Sequence, residues 1–204
     1  MRNTLAAVLL GLLALHPAAS ASAQEGPAIG QPAPAFSATD SRGRTRSLAD
    51  FRDQWVVLEW WNHECPYVRK HYGSGNMQRL QREYTGRGVV WLSIVSSAPG
   101  KQGYVTPEQA NQTMTEQSAS PTAVLLDPTG QVGRLYRARN TPQMFVIDPG
   151  GVLRYDGAID DRPTARVSDI QGARNYLAAA LDEAMAGRPV TTPRTEPYGC
   201  TVKY

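Results

Sequence analysis

Trp55-Val56-Val57-Leu58-Glu59-Trp60-Trp61 runs directly into Asn62-His63-Glu64-Cys65-Pro66-Tyr67-Val68, and the junction between these two stretches decides the fold. Seven bulky residues broken only by Glu59 suit a central strand covered on both faces. Pro66 then opens a helix, because its fixed φ and missing N–H are tolerated at the first helical position. Val68, Tyr72, Met77, Leu80 and Tyr84 recur at three- and four-residue spacing and predict one helix over 66–84, with Gly73 and Gly75 weakening its middle. Cys65 therefore stands at the N-cap of a helix that follows a buried strand. Unpaired amides and the positive end of the helix dipole stabilise a thiolate there, which is the nucleophilic form of cysteine. An inert buried cysteine is the competing reading, but inert cysteines lie within strands or helices rather than at the turn where α/β folds place their sites.

Outward from this junction, strand and helix signals alternate. Upstream, Ala35 to Asp40 and Thr45 to Ser47 flank Ser41-Arg42-Gly43-Arg44 and read as a small hairpin. Downstream, Val89 to Val95 is a second buried strand. Thr106-Pro107-Glu108-Gln109 carries the capping hydroxyl, N1 proline and Gln that open a helix. Ala123 to Leu126 is a third strand, turned by Asp127-Pro128-Thr129-Gly130. Gln143 to Ile147 and Val152 to Tyr155 form a hairpin around Asp148-Pro149-Gly150-Gly151. Ser168, with Gln171 three residues on, predicts the cap of a last helix whose Ile170, Leu177, Leu181 and Met185 share a face until Gly187. Such an order implies an α/β fold, a mixed sheet between helices.

The composition narrows the function class. The chain has 204 residues, a formal net charge of +3 and two cysteines, Cys65 and Cys200. Its length supports a core without a disulfide framework, and so small a charge gives no electrostatic reason for a nucleic-acid partner. Arg2, the apolar run Leu5 to Leu15 and an Ala-x-Ala ending before Gln24 read as a signal peptide over 1–23. A membrane span needs roughly 20 apolar residues, more than this run supplies. The expected organisation is a leader at 1–23, one domain over 24–187, and a Pro-rich tail over 188–204 that carries Cys200, is extended and mobile, and is long enough to return to Cys65. Export to the periplasm or the medium follows, without stable membrane insertion after cleavage.

Val56 to Val68 resembles the site strand and Trp-Cys-x-x-Cys motif of the thioredoxin superfamily, with Cys65 at the first cysteine position and Val68 at the second. Glu59 matches the buried acid beneath the thioredoxin site, and Thr141-Pro142 matches the cis-proline turn. The Gly30-Gln31-Pro32-Ala33-Pro34-Ala35-Phe36 opening and the Asp148-Pro149-Gly150-Gly151 hairpin are similar to the redoxin branch, which includes peroxiredoxins and the alkyl hydroperoxide reductase/thiol-specific antioxidant proteins. The ending Tyr198-Gly199-Cys200-Thr201-Val202-Lys203-Tyr204 is similar to exported members with one cysteine in the motif. The resemblance implies a thioredoxin-like fold and thiol chemistry. It departs from peroxiredoxins in holding Leu58 and Asn62 where they have proline and threonine or serine, and their peroxidatic cysteine aligns with Val68; these positions argue against peroxide turnover.

The candidate catalytic residues are Cys65 as nucleophile, Cys200 as resolving thiol, Glu59 as a buried proton carrier and His63 as a neighbour able to depress the thiol pKa or act as a base. Thr141 and Pro142 offer backbone for an extended substrate, beside Trp61 and Pro66. The favoured reading is an exported thiol-disulfide oxidoreductase that takes protein or small-molecule thiols and disulfides and is served by an external thiol reductant, with no cofactor and no metal. A copper module using His63, Cys65, His71 and Cys200 is a second reading. A third is a non-catalytic scaffold in which a static Cys65–Cys200 bridge pins the tail, which in the chain-entropy model stabilises by about 4 to 5 kcal/mol. A redox-active pair and a structural bridge remain equally open from the sequence.

Overall fold

The computed structural model describes residues 26–204, so the expected leader over 1–23 lies outside the described residues. The first hairpin forms where the sequence places it, from β1 (Ser37–Asp40) and β2 (Thr45–Ser47). Asp40 ties its turn: one carboxylate oxygen accepts from the N–H groups of Arg42 and Arg44, each at 2.9 Å, and the other from Arg46 Nε at 3.0 Å. A 3₁₀ turn over Leu48–Phe51, capped by Ser47, leads into β3 (Val56–Trp60), buried along its whole length.

The helix expected over 66–84 is two helices, α1 (Pro66–Gly73) and α2 (Asn76–Gly86). Gly75 between them holds φ +74°, a left-handed conformation that interrupts helical hydrogen bonding and is open to glycine without steric cost. Next come β4 (Val90–Val95), α3 (Pro107–Glu116) and β5 (Ala123–Leu126). Thr106 and Gln109 form the reciprocal capping box at the start of α3.

A short α4 (Gln131–Tyr136) follows, unmarked by any capping side chain in the sequence. Then come β6 (Asn140–Thr141), β7 (Gln143–Ile147), β8 (Leu153–Gly157), α5 (Tyr176–Met185) and β9 (Cys200–Thr201). The last helix does not begin at Ser168. Ser168 and Ile170 lie in a separate 3₁₀ turn over Val167–Ile170, Gly172 takes φ +78°, and Asn175 caps α5 through Ala178 N–H at 2.8 Å.

The main sheet has the order β2-β1-β5-β4-β3-β7-β8. Strands β3, β4 and β5 are parallel, and the hairpins close both edges antiparallel. Alternation along β3 builds two cores. Val57 joins the layer of α1, α2, α3 and α5 through Tyr72, Met77, Leu80, Met114 and Leu181, while Val56, Leu58 and Trp60 face Phe36, Val132, Tyr136 and Phe145. This is the mixed sheet between helices that the sequence implied.

The tail is not a free extension. It runs back along the domain and pairs β9 with β6 in a second, two-stranded antiparallel sheet. Thr195 Oγ1 accepts from Ala158 N–H at 2.8 Å and bonds Tyr155 Oη at 2.6 Å on the way.

A Gly75→Ala substitution meets open space but must adopt a left-handed φ. It should lower unfolding free energy by about 1 kcal/mol, read as a lower urea midpoint with an unchanged slope.

Candidate functional site

The site assembles where β3 ends. Trp61 N–H still bonds Ile94 O at 2.9 Å, after which the chain turns: Asn62 O accepts from Cys65 N–H at 3.1 Å, and Asn62 Oδ1 from Glu64 N–H at 2.9 Å. Cys65 then caps α1 in an extended conformation (φ −70°, ψ 123°), with Pro66 at the first helical position. The predicted placement of the thiol at a helix N-terminus is therefore present, although the side chain is fully buried.

Pairing of β3 with β7 places Trp60 opposite Gln143, which brings β6 and the cis Thr141–Pro142 bond beside this turn. Cys65 Sγ donates to Thr141 O at 3.1 Å. Thr141 pairs in turn with Cys200, whose N–H donates to Cys65 Sγ at 3.4 Å. Thr141 Oγ1 donates to Cys200 O at 3.3 Å, and Asn140 Nδ2 to Gly199 O at 2.9 Å. The two cysteines, 135 positions apart in sequence, meet over one residue of main chain, as a tail long enough to return to Cys65 allows, and both are free thiols.

Their environments separate them. Burial pushes the Cys65 thiol up, but the Cys200 thiol, the Thr141 side chain and the N–H groups of Val68 and Cys200 act against it, and the net displacement is downward. Burial, followed by the facing Cys65, pushes the Cys200 thiol up to about 12, against the pull of Lys203. The contact thus displaces the two thiols in opposite directions, Cys65 downward and Cys200 upward.

The other candidates divide. Thr141 and Pro142 are beside Cys65 as expected, but the chain paired with Thr141 is the protein's own tail. Pro66 is exposed at the turn. Trp61 is a correction: it is 1% exposed, packed against the His63 and Tyr72 rings at 5.7 and 6.3 Å, and offers no surface to a substrate.

Glu59 is enclosed rather than aimed at the thiol. Its carboxylate accepts from Trp91 Nε1 at 2.8 Å, Tyr72 Oη at 2.8 Å, Ser93 Oγ at 2.9 Å and Gln81 Nε2 at 3.5 Å. Burial raises its pKa against the pull of these four donors. His63 makes no hydrogen bond to Cys65; it lines a cavity of about 220 Å³ with Tyr104, Val105 and Gln109, and burial lowers its pKa. His71 lies away from the thiols, with Nδ1 2.9 Å from Asn76 Nδ2 and Nε2 3.3 Å from Tyr198 Oη. Among the described residues no group of three or more His, Cys, Asp or Glu side chains is placed to hold a metal ion, which removes the copper grouping of His63, Cys65, His71 and Cys200.

Sequence reading missed the cluster that receives the tail. Lys70 and Asp160, both fully buried, pair at 3.3 Å, and Lys70 Nζ also donates to Arg162 O at 2.7 Å and Tyr198 Oη at 3.3 Å. Tyr198 Oη bonds Asp160 Oδ1, and its ring packs edge-on against Tyr67 at 5.8 Å. The available signal was a lysine and histidine on the apolar face of a helix, together with a tyrosine two residues before Cys200.

The AhpC/TSA family model matches residues 29–156, a span that holds Cys65 and Pro142. Over 127 residues the chain is 25% identical to the thiol-disulfide oxidoreductase ResA of Geobacillus kaustophilus, covering 62% of this chain and 67% of that protein. It is 26% identical over 125 residues to the thioredoxin-like protein YneN of Bacillus subtilis, covering 61% and 68%. Among solved structures, a protein described as uncharacterized and conserved from Geobacillus kaustophilus superposes with a TM-score of 0.75 at 27% identity, covering 87% of this chain and 92% of that one. A hypothetical protein from Sinorhizobium meliloti gives 0.76 at 24% identity, covering 88% and 96%.

Burial, followed by the positive charge of Lys70 and opposed by Asp160, pushes the His71 pKa down to about 4. Against an unfolded value near 6.5, His71 stays neutral in the native state while the unfolded chain takes up a proton. Stability is therefore present above pH 6.5 and should be lost as pH falls from 6.5 toward 4, at up to about 1.4 kcal/mol per pH unit. Urea unfolding at pH 7, 5.5 and 4.5 should show this slope, and His71→Gln should remove it.

Proposed function

The chain belongs to the AhpC/TSA family, and from that premise we propose that it is an exported thiol-disulfide oxidoreductase in which Cys65 attacks and Cys200 resolves. The observation that carries the reading is the seating of Cys200 on Cys65: its N–H lies 3.4 Å from Cys65 Sγ while its own thiol faces the same sulfur. The names of the similar proteins, thiol-disulfide oxidoreductase and thioredoxin-like protein, agree with thiol exchange.

The steps follow from the two thiols. Cys65 thiolate attacks one sulfur of a substrate disulfide; a Cys65–substrate disulfide forms, the substrate S–S bond breaks, and the departing thiolate takes a proton. Cys65 then carries no negative charge, so the part of the Cys200 pKa rise that follows burial, the facing Cys65, disappears and Cys200 deprotonates more readily. Cys200 thiolate attacks Cys65 Sγ, forming the Cys65–Cys200 disulfide and releasing the second substrate thiol. The substrate gains two electrons, the protein dithiol loses two, and an external dithiol restores it by the same exchange. Peroxide reduction is outside this proposal. Asn62, at the position compared with the peroxiredoxin threonine or serine, carries no hydroxyl to polarise a peroxide at Cys65, and its amide oxygen accepts from Glu64 N–H.

Export rests on the leader-like sequence over 1–23. No helix among the described residues is long and apolar enough to cross a membrane.

Reduction of a model peptide disulfide tests the assignment. Cys65→Ser should lower the rate at least 100-fold, whereas Cys200→Ser should retain the first attack and accumulate a mixed disulfide on Cys65 detectable by mass. The pH profile of Cys65 alkylation should have its midpoint below the ordinary thiol value of about 8.5, and Cys200→Ala should move it upward. Retained activity in Cys65→Ser would sink the proposal, and a Cys65–Cys200 potential below about −300 mV would make the bridge structural.

A further inference from the structure

Residues 198–204 lie across Cys65 and are fastened on both sides of it. Before Cys200, the Tyr198 hydroxyl enters the buried cluster of Lys70, His71 and Asp160, with Lys70 Nζ also 5.4 Å from the ring centre. After Cys200, Val202 N–H donates to Arg139 O at 2.9 Å and Lys203 O accepts from Ala98 N–H at 2.8 Å. Tyr204 Oη donates to Ala138 O at 2.8 Å, with the Arg134 guanidinium 4.6 Å from the ring centre. Gly130 and Gly133 make room for that ring, since a Cβ on either would stand 2.1 to 2.4 Å from its carbons.

Between the anchors the segment behaves as an added strand. It pairs Cys200 with Thr141 and Thr201 with Asn140, the main-chain pairing by which an extended polypeptide adds to an exposed strand edge. Gly199 makes the approach possible: it holds φ +124°, and a Cβ there would stand 2.0 Å from Thr141 O. With this segment in place Cys65 has no exposed surface. Disulfide exchange requires the attacked sulfur to reach the thiolate, so the segment must move before an external disulfide can react.

We propose that residues Tyr198–Tyr204 form a strap, a tethered occupant of the Asn140–Thr141 edge, and that its release admits an extended polypeptide carrying a disulfide to Cys65. The proposal rests on Cys65 being the reacting thiol and adds how that thiol is opened. A tethered segment competes at an effective concentration in the millimolar range for a short linker. A free chain of similar affinity therefore gains the edge only when the strap is weakened or outcompeted.

The test uses the full chain with Cys200→Ser, so that iodoacetamide labels only Cys65, followed by mass spectrometry. Adding Gly199→Ala, which breaks the close approach to Thr141, should accelerate Cys65 labelling at least ten-fold. Tyr204→Ala, which touches nothing in the Cys65 turn, should accelerate it in the same direction. A synthetic peptide with the sequence of residues 198–204 carrying Cys200→Ser, supplied at millimolar concentration, should return the Gly199→Ala protein toward the slow rate. Acceleration that the peptide does not reverse would indicate general loosening and overturn the strap. Equally rapid labelling with and without Gly199→Ala would overturn it while leaving Cys65 as the reactive thiol. Equally slow labelling in both, with no attack on a peptide disulfide, would overturn both the strap and the catalytic assignment.

Discussion

The main chain of Thr141 is the constraint on which the site depends. Its carbonyl accepts from Cys65 Sγ, its hydroxyl donates to Cys200 O, and its backbone pairs with Cys200. None of this would meet without the sheet order. Pairing of β3 with β7, in the register that sets Trp60 opposite Gln143, fixes the residues just before β7 against the residues just after β3. The turn that presents Cys65 and the turn that receives Cys200 are thus held by one buried strand pair, whose cost of misregistry is set by both cores at once.

Burial alone would leave two inert thiols. Both Cys65 and Cys200 are pushed up by it, and they diverge because hydrogen-bond donors converge on only one of them. The Cys200 thiol, the Thr141 side chain and the N–H groups of Val68 and Cys200 lower the Cys65 pKa, whereas after burial the facing Cys65 raises that of Cys200. A helix N-terminus supplies Val68 N–H from the sequence-local fold, but Cys200 N–H arrives only through the tail. The difference between the two thiols therefore depends on a tertiary contact, the one that also buries Cys65.

Much of this arrangement was legible in the sequence, and the failures share a cause. The apolar run Trp55 to Trp61, Pro66 at the helix start, the Thr106–Gln109 box and the Asp148–Gly151 turn all act within a few residues, and each appears where local chemistry placed it. Gly75 was visible as a weak point, yet its left-handed φ, which splits the helix, was not. The start of α5 was misplaced because Ser168 and Gln171 mimic a cap while Gly172 prevents its use. Glu59 was correctly read as buried; its enclosure by Trp91, Ser93, Tyr72 and Gln81 draws on three other elements that no local pattern joins. His63 was placed near the thiol by sequence distance, but the turn directs it toward Val105 and Gln109. The return of the tail to Cys65 was legible from its length and Cys200, but its pairing with β6 and the socket for Tyr198 were not, since Pro-rich composition signals extension and says nothing about a receiving edge.

The cluster beneath Tyr198 explains how such a tail can be held and still released. A buried lysine is costly unless paired, and removing its sole partner would leave an uncompensated charge. Lys70 avoids that outcome because Asp160 at 3.3 Å and Arg162 O at 2.7 Å remain when Tyr198 leaves. Asp160 likewise keeps Lys70 and the Arg162 N–H at 2.9 Å. Departure of the tyrosine therefore forfeits its own hydrogen bonds and ring contacts, which water partly replaces, without stranding an ion. A purely apolar anchor of the same size would instead expose its full hydrophobic socket on release. The polar socket holds the strap in register while keeping the undocked state accessible.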